Sequence, residues 1–278
     1  MNGLMLRLTT AVVFVAVMLG GLFGGPIPFL LLFGLIAAGC LWEFYGLTVS
    51  KAQTASRQQE RKILGTIVGL IPYVYLSLGH MGWLVAEVDP GKALICYLPA
   101  AFLLFIRELF TSSERPFDHL ANALTGHLYI GIPFALLTLL AFQGESFDAG
   151  LIFGLLLLTW TNDTAAYLVG SQIGKTPLFP RISPKKTWEG TSGGIIICLG
   201  MGFLLSRFFT DYSTLDWMIL AVVVVIFGSL GDLVESMLKR SLQIKDSGNL
   251  LPGHGGMLDR FDAFLFVIPF AVAYVVLI

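Results

Sequence analysis

Nine stretches of mostly apolar residues dominate this chain, and each is close to the roughly 20 residues that a helix needs to cross a bilayer. Of the 278 residues, 56% are hydrophobic and only 13% are charged, whereas a soluble domain carries about a quarter charged residues. We therefore predict an all-α, polytopic transmembrane helical bundle of about nine spans. The spans lie at residues 8–24, 27–49, 62–82, 91–106, 121–142, 150–171, 190–208, 215–234 and 261–278.

The basic residues between these stretches predict the orientation of the bundle, because cytoplasmic segments carry an excess of Lys and Arg. With the N-terminus in the cytoplasm, 15 of the 17 Lys and Arg residues fall on the inner side. Only Lys92 and Arg207 then lie outside.

The net charge of -1 excludes a basic nucleic-acid-binding protein as the default interpretation.

A polar segment between the last two apolar stretches concentrates charged residues and glycines. This signature segment, residues 236–262, reads SMLKRSLQIKDSGNLLPGHGGMLDRFD and is expected on the cytoplasmic side. Glycines let backbone N–H groups approach phosphate oxygens, Lys and Arg neutralise phosphate charge, and carboxylates bind Mg²⁺. The segment therefore predicts a cytoplasmic site for phosphate groups and a metal ion.

Carboxylates at helical spacing lie just before this segment and at its end. Asp232, Glu235 and Lys239 fall on one stripe of the eighth span, and Asp259 and Asp262 lie three apart at the start of the ninth. Carboxylates crowded together repel each other unless a cation is present, so we interpret Asp232 and Asp259 as ligands of Mg²⁺. For Glu235 or Asp262 taken singly, a surface ion pair with a nearby Lys or Arg is the alternative.

The end of the sixth span predicts a second part of the site. Asp163 lies within the apolar stretch with Tyr167 one turn on, while Gly170 and Gly174 are spaced to let a neighbouring helix pack closely. The loop that follows, residues 177–194, reads PLFPRISPKKTWEGTSGG and has the composition of an anion-binding loop. The alternative is a basic loop that only sets the membrane orientation.

Glu43 is a further carboxylate inside an apolar stretch. Ionisable groups within membrane spans are candidates for functional sites. Glu43 lies near the inner end of the second span, where its side chain can also reach water. The sequence leaves its role open.

The signature segment resembles that of phosphatidate cytidylyltransferases, also called CDP-diacylglycerol synthases, which has the form S-x-x-K-R-x4-K-D-x-[GSA]-x2-[LIF]-[PG]-x-H-G-G-x-x-D-R-x-D. Every fixed position is met. These positions are Ser236, Lys239, Arg240, Lys245, Asp246, Gly248, Leu251, Pro252, His254, Gly255, Gly256, Asp259, Arg260 and Asp262. Asp163-x-x-Ala166-Tyr167 and Ser183-Pro184-Lys185-Lys186-Thr187-x-Glu189-Gly190 are similar to other blocks of that family. The resemblance covers the C-terminal half of the chain.

The resemblance implies a nucleotidyltransferase of phospholipid biosynthesis. Such an enzyme transfers CMP from CTP to phosphatidic acid with Mg²⁺ as cofactor, and it gives CDP-diacylglycerol and pyrophosphate. It implies a multi-pass protein of the bacterial inner (plasma) membrane, with N-terminal helices in residues 1–120 and a catalytic region in 121–278. The expected partners are CTP, phosphatidic acid and the bilayer, without nucleic acid. A homodimer is compatible with the sequence, but no feature requires one.

The resemblance and the spacing together give two sets of candidate residues. The catalytic candidates are Asp232, Asp259, Lys239, Asp246 and His254, with Asp232 and Asp259 as the metal ligands. The substrate-binding candidates are Asp163, Tyr167, Ser183, Lys185, Lys186, Thr187, Glu189, Ser236, Arg240, Lys245, Gly255, Gly256, Arg260 and Asp262.

Other classes of membrane protein fit the sequence less well. A CTP-dependent lipid-alcohol kinase would also combine helices with a nucleotide site, but it would release CDP. The D-G-x2-A-R-x8-G-x3-D-x3-D pattern of CDP-alcohol phosphotransferases does not occur in the sequence. Secondary transporters place ionisable residues near mid-membrane and often contain repeats, whereas here the polar residues gather at one face.

Overall fold

The computed structural model describes residues 3–49, 54–84, 89–111, 113–143, 146–248, 250 and 255–277. Each predicted apolar stretch falls on a helix. The helices are α1 (Gly3–Phe23), α2 (Pro26–Thr48), α3 (Ala55–His80), α4 (Pro90–Leu109), α5 (Pro116–Ala141), α6 (Gly150–Ile173), α7 (Trp188–Phe208), α8 (Thr214–Ser241) and α9 (Leu258–Leu277). Helices α5 and α8 each contain one π-helical turn, at His127–Gly131 and Val224–Gly228.

Seven helices within the described ranges are long and apolar enough to cross a membrane. Helix α4 is not among them, and α1 contributes only a shorter apolar part, Thr9–Phe23. The all-α, polytopic architecture is therefore confirmed. The number of nine spans and the cytoplasmic N-terminus stay predictions.

A small β-hairpin follows α6, where the sequence analysis expected an irregular loop. Strands β1 (Pro177–Phe179) and β2 (Ser183–Thr187) pair antiparallel, with Pro177 opposite Thr187 and Phe179 opposite Ser183. The turn is closed by a hydrogen bond of 3.1 Å from the Ile182 N–H to the Phe179 carbonyl. Lys185 and Lys186 therefore lie on strand β2 and not in an irregular loop.

The chain divides into two compact units. The first comprises Met1–Phe147 with Asp246–Asp259, and the second comprises Asp148–Lys245 with Arg260–Ile278. The two units are defined by which residues pack against each other, and not by function. The functional division expected between residues 120 and 121 stays a prediction.

Within the first unit, an aromatic side chain packs against glycines of two neighbouring helices. The ring of Tyr45 on α2 lies against Gly65 on α3 and Gly126 on α5. Its hydroxyl donates a hydrogen bond of 2.8 Å to the carbonyl of Ala123. The C-terminal end of α2, which carries Glu43, is thereby packed between two other helices.

In the second unit, α6 and α7 pack at small residues. A Cβ on Gly190 of α7 would lie 2.7 Å from the carbonyl oxygen of Ala166 and 3.1 Å from the Cα of Gly170. No side chain fits between the helices at this point. The close packing predicted from the spacing of Gly170 and Gly174 is confirmed.

Candidate active site

A cavity of about 250 Å³ lies within the second unit, between α6, β2, α7 and α8. It contains six of the predicted site residues: Asp163, Tyr167, Lys185, Lys186, Thr187 and Asp232. They come from three separate parts of the sequence. The structure therefore brings together two of the motifs that the sequence analysis treated independently.

The cavity contains an ion pair. The ammonium of Lys186 on β2 contacts the carboxylate of Asp232 on α8. About a third of each side chain is exposed, at 28% and 32%. The hydroxyl of Ser236, one turn further along α8, lies 3.3 Å from Oδ1 of Asp232. A predicted phosphate ligand and a predicted metal ligand thus share one polar site that solvent reaches.

Three carboxylates of the second unit belong to this polar region. Asp163 on α6 and Asp262 on α9 each lie close enough to Asp232 to interact electrostatically with it. No group of three or more acidic, histidine or cysteine side chains within the described ranges is already arranged to hold a metal ion. Mg²⁺ commonly takes only one or two carboxylates and completes its shell with phosphate oxygens and water. The donor set therefore suits Mg²⁺ bound together with a nucleotide.

Asn162 lines the cavity beside Asp163, and the sequence analysis missed it. Its side chain is 2% exposed, and its Oδ1 has no hydrogen-bond partner among the described residues. A buried amide oxygen without a partner is uncommon. Its position next to an intramembrane carboxylate is the signal that points to it.

Two predicted substrate-binding residues hold the hairpin in place. The side chain of Thr187 caps α7 by accepting a hydrogen bond of 3.1 Å from the Gly190 N–H. The carboxylate of Glu189 accepts hydrogen bonds of 3.1 Å from the backbone N–H groups of Lys175 and Thr176. These contacts shape the cavity wall, and direct substrate binding by either residue stays a prediction.

The other predicted residues of the second unit do not line this cavity. The Lys239 ammonium contacts Glu235, which is fully buried. The ion pair that the sequence offered as the alternative for Glu235 is therefore present, at a spacing of four on one stripe of α8, but the carboxylate is buried and not at the surface. Nε of Arg240 lies 3.5 Å from the Ile182 carbonyl, beside Ser183. Lys245 and Arg260 are exposed.

The first unit contains the rest of the signature segment. We call Asp246–Asp259 the signature loop. Oδ2 of Asp259 accepts hydrogen bonds from the backbone N–H groups of Ser247 (2.9 Å) and Gly256 (2.8 Å). Gly255 adopts φ +84°, a conformation that favours glycine. His254 lies outside the described residues, so its catalytic role stays a prediction.

Glu43 contacts the same loop, which the sequence analysis did not foresee. Its Oε2 accepts hydrogen bonds from the Ser247 hydroxyl (3.3 Å) and the Leu258 N–H (2.9 Å). Asp259 and Asp232 belong to different units. Their sharing of one metal ion stays a prediction.

Nearly the whole chain matches a known family. The sequence profile described as "Cytidylyltransferase family" covers residues 5–278. The chain belongs to this family. It is therefore a nucleotidyltransferase, and the family assignment made from the signature segment is confirmed. The match also includes the first five apolar stretches, which the signature segment did not cover.

Named relatives support the same assignment. The phosphatidate cytidylyltransferase of Bacillus subtilis (strain 168) is 34% identical over 267 residues, which cover 95% of this chain and 94% of the relative. That of Staphylococcus aureus (strain COL) is 34% identical over 266 residues, 95% of each chain. That of Staphylococcus haemolyticus is 41% identical over 171 residues, 61% of this chain and 64% of the relative.

Proposed function

We propose that this chain transfers CMP from CTP to phosphatidic acid, forming CDP-diacylglycerol and pyrophosphate at the cytoplasmic face of a bacterial inner membrane. The observation that carries the proposal is the cavity in which Lys186 pairs with Asp232, in a chain whose relatives are named phosphatidate cytidylyltransferase. A cavity that contains a lysine ammonium and carboxylates, and that is open to solvent, is suited to bind a nucleoside triphosphate.

The lipid nucleophile needs no strong general base. A phosphate monoester has a second pKa near 6, so phosphatidate is already mostly a dianion at pH 7. The obstacle to reaction is the approach of one anion to another. Fixed cations around the reacting phosphorus lower that barrier, and Lys185 and Lys186 on the cavity wall are placed to supply them.

The reaction is an in-line displacement. An oxygen of phosphatidate forms a new bond to the α-phosphorus of CTP, while the bond from that phosphorus to the bridging oxygen breaks. Pyrophosphate leaves with the electron pair of the broken bond. We assign phosphate binding to Lys185, Lys186, Lys239, Arg240 and Lys245.

Asp232 and Asp259 are the residues proposed to hold Mg²⁺, and Asp163 and Asp262 lie within electrostatic range of Asp232. When bound, Mg²⁺ supplies positive charge to the phosphates of CTP. Asp246 and His254 belong to the same proposed site. The remaining proposed substrate contacts are Tyr167, Ser183, Thr187, Glu189, Ser236, Gly255, Gly256 and Arg260.

One labelling experiment tests this function. The purified protein is incubated with Mg²⁺, CTP labelled at the α-phosphate and either phosphatidate or a lipid alcohol, and the lipid is extracted. Label in the lipid phase is the expected result. With CTP labelled at the γ-phosphate, we expect the label in pyrophosphate. Label transferred to lipid from the γ-position would instead indicate a kinase, and no conversion with either label would contradict both enzymes.

A further inference from the structure

The signature loop is attached to a helix that is distant in sequence. Glu43 on α2 is 9% exposed, and its Oε2 accepts hydrogen bonds from the Ser247 hydroxyl and the Leu258 N–H. Ser247 is near the beginning of the loop and Leu258 is near its end. One carboxylate oxygen therefore connects both ends of the loop to the same point on α2.

Glycines of the loop leave room for this carboxylate. A Cβ placed on Gly248 would meet the carboxyl group of Glu43, and one on Gly256 would meet both Glu43 and the Ser247 hydroxyl. No larger side chain fits at either position without moving Glu43. The backbone at Gly248 and Gly256 is thus fitted closely around the Glu43 carboxyl group.

Glu43 and Asp259 act on the same loop residues. Ser247 donates its hydroxyl to Glu43 and its backbone N–H to Asp259. Gly256 packs against Glu43 and donates its N–H to Asp259. A shift of Ser247 or Gly256 would therefore change the position of the Asp259 carboxylate.

The second carboxyl oxygen of Glu43 indicates that close packing alone does not explain why a glutamate occupies this position. Oε1 is buried and has no hydrogen-bond partner among the described residues. An acceptor buried in this way costs free energy. An apolar side chain at position 43 would avoid that cost, but it would leave the hydroxyl of Ser247 and the N–H of Leu258 without these acceptors.

We propose that Glu43 is a positioning residue for cytidylyl transfer, which holds the signature loop in the conformation that places Asp259 for catalysis. This inference rests on the proposed function, because the loop carries residues assigned to that reaction. Glu43 itself does not contact substrate in this proposal. Its effect on the reaction passes through Ser247, Gly256 and Asp259.

The test compares Glu43→Ala, Glu43→Gln and Ser247→Ala in the α-label assay. Glu43→Ala removes both hydrogen bonds from the loop to the Glu43 side chain, so we expect kcat to fall about tenfold or more. The Mg²⁺ concentration for half-maximal activity should rise, because Asp259 is displaced. Glu43→Gln keeps an acceptor oxygen of similar position and should recover part of kcat. Ser247→Ala should lower kcat by less than Glu43→Ala.

The double variant Glu43→Ala/Ser247→Ala separates positioning from general destabilisation. Residues that act through one contact show non-additive effects, so the double variant should be little worse than Glu43→Ala alone. Glu108→Gln is the matched control. Glu108 is another buried carboxylate of the first unit, and it pairs with Arg61 and Arg107. It should lower thermal stability without changing kcat per folded molecule or the Mg²⁺ requirement.

The outcomes distinguish the inference from the function on which it rests. If the wild-type protein transfers no label to lipid, the proposed function fails. If the wild type is active and Glu43→Ala has the same kcat and Mg²⁺ requirement, the inference is wrong and Glu43 is only structural. If Glu43→Ala does not fold, the test rests on Glu43→Gln and Ser247→Ala. The inference is overturned if both of these variants have the same kcat and the same Mg²⁺ requirement as the wild type.

Discussion

Lys186 on β2 contacts Asp232 on α8, which joins a residue proposed to bind phosphate to one proposed to bind metal. The two motifs lie far apart in the sequence and meet in one cavity. Each charge stabilises the other. A nucleotide with its metal ion can replace both halves of the pair, since phosphate attracts the ammonium and Mg²⁺ attracts the carboxylate.

Removing the cation of this pair should weaken nucleotide binding. For Lys186→Ala we expect KM for CTP to rise about tenfold or more, the loss typical of a hydrogen bond to a charged group. Lys186→Arg should recover part of the affinity. Arg181→Ala is the control. It removes an exposed cation from the same hairpin, and Arg181 does not line the cavity. Equal KM values in Lys186→Ala and wild type would contradict phosphate binding by Lys186.

Asp232 and Asp259 should be sensitive to loss of charge at constant size. For Asp232→Asn and Asp259→Asn we expect kcat to fall on the order of 100-fold, because metal-bound charge contributes several kcal/mol to such reactions. The measurement is activity across a Mg²⁺ titration. Asp211→Asn changes an exposed carboxylate of the second unit and should leave the titration unchanged. Normal turnover in either test variant at every Mg²⁺ concentration refutes its role as a ligand.

The contact between α6 and α7 should not tolerate a methyl group at Gly190. In Gly190→Ala the added Cβ would press on the Ala166 carbonyl and on Gly170. We expect a loss of about 1–3 kcal/mol, as for other overpacked sites, with lower activity because Lys185 and Lys186 border the same cavity. Gly200→Ala is the matched control on the same helix, since nothing lies within 4 Å of its added Cβ. Thermal unfolding in detergent compares the two. Equal Tm values would argue against close packing at Gly190.

An experiment on helix α4 tests the predicted number of membrane crossings. If it spans the bilayer as predicted, its two ends face opposite sides of the membrane. Lys92→Cys and Glu114→Cys, both at exposed positions, are placed in a Cys96→Ala background, because Cys96 is exposed whereas Cys40 and Cys198 are buried. An impermeant thiol reagent should label Lys92→Cys in intact cells and Glu114→Cys in inverted vesicles. Labelling of both from one side shows that α4 does not cross.

The sequence by itself determined where the helices lie and to which family the chain belongs. In a bilayer, backbone groups must be satisfied within each segment, so a long apolar stretch becomes a helix whatever its neighbours are. Each of the nine predicted stretches therefore coincides with a helix. The signature segment could also be recognised from the sequence alone, because its residues are close together in the chain.

Only the tertiary structure decided which distant residues meet. The pairing of Lys186 with Asp232, the strand that carries Lys186, and the attachment of the signature loop to Glu43 all join segments far apart in sequence. Glu43 and Ser247 are separated by 204 positions. Such contacts depend on how the helices pack within each unit, and neither hydropathy nor motif spacing contains that information.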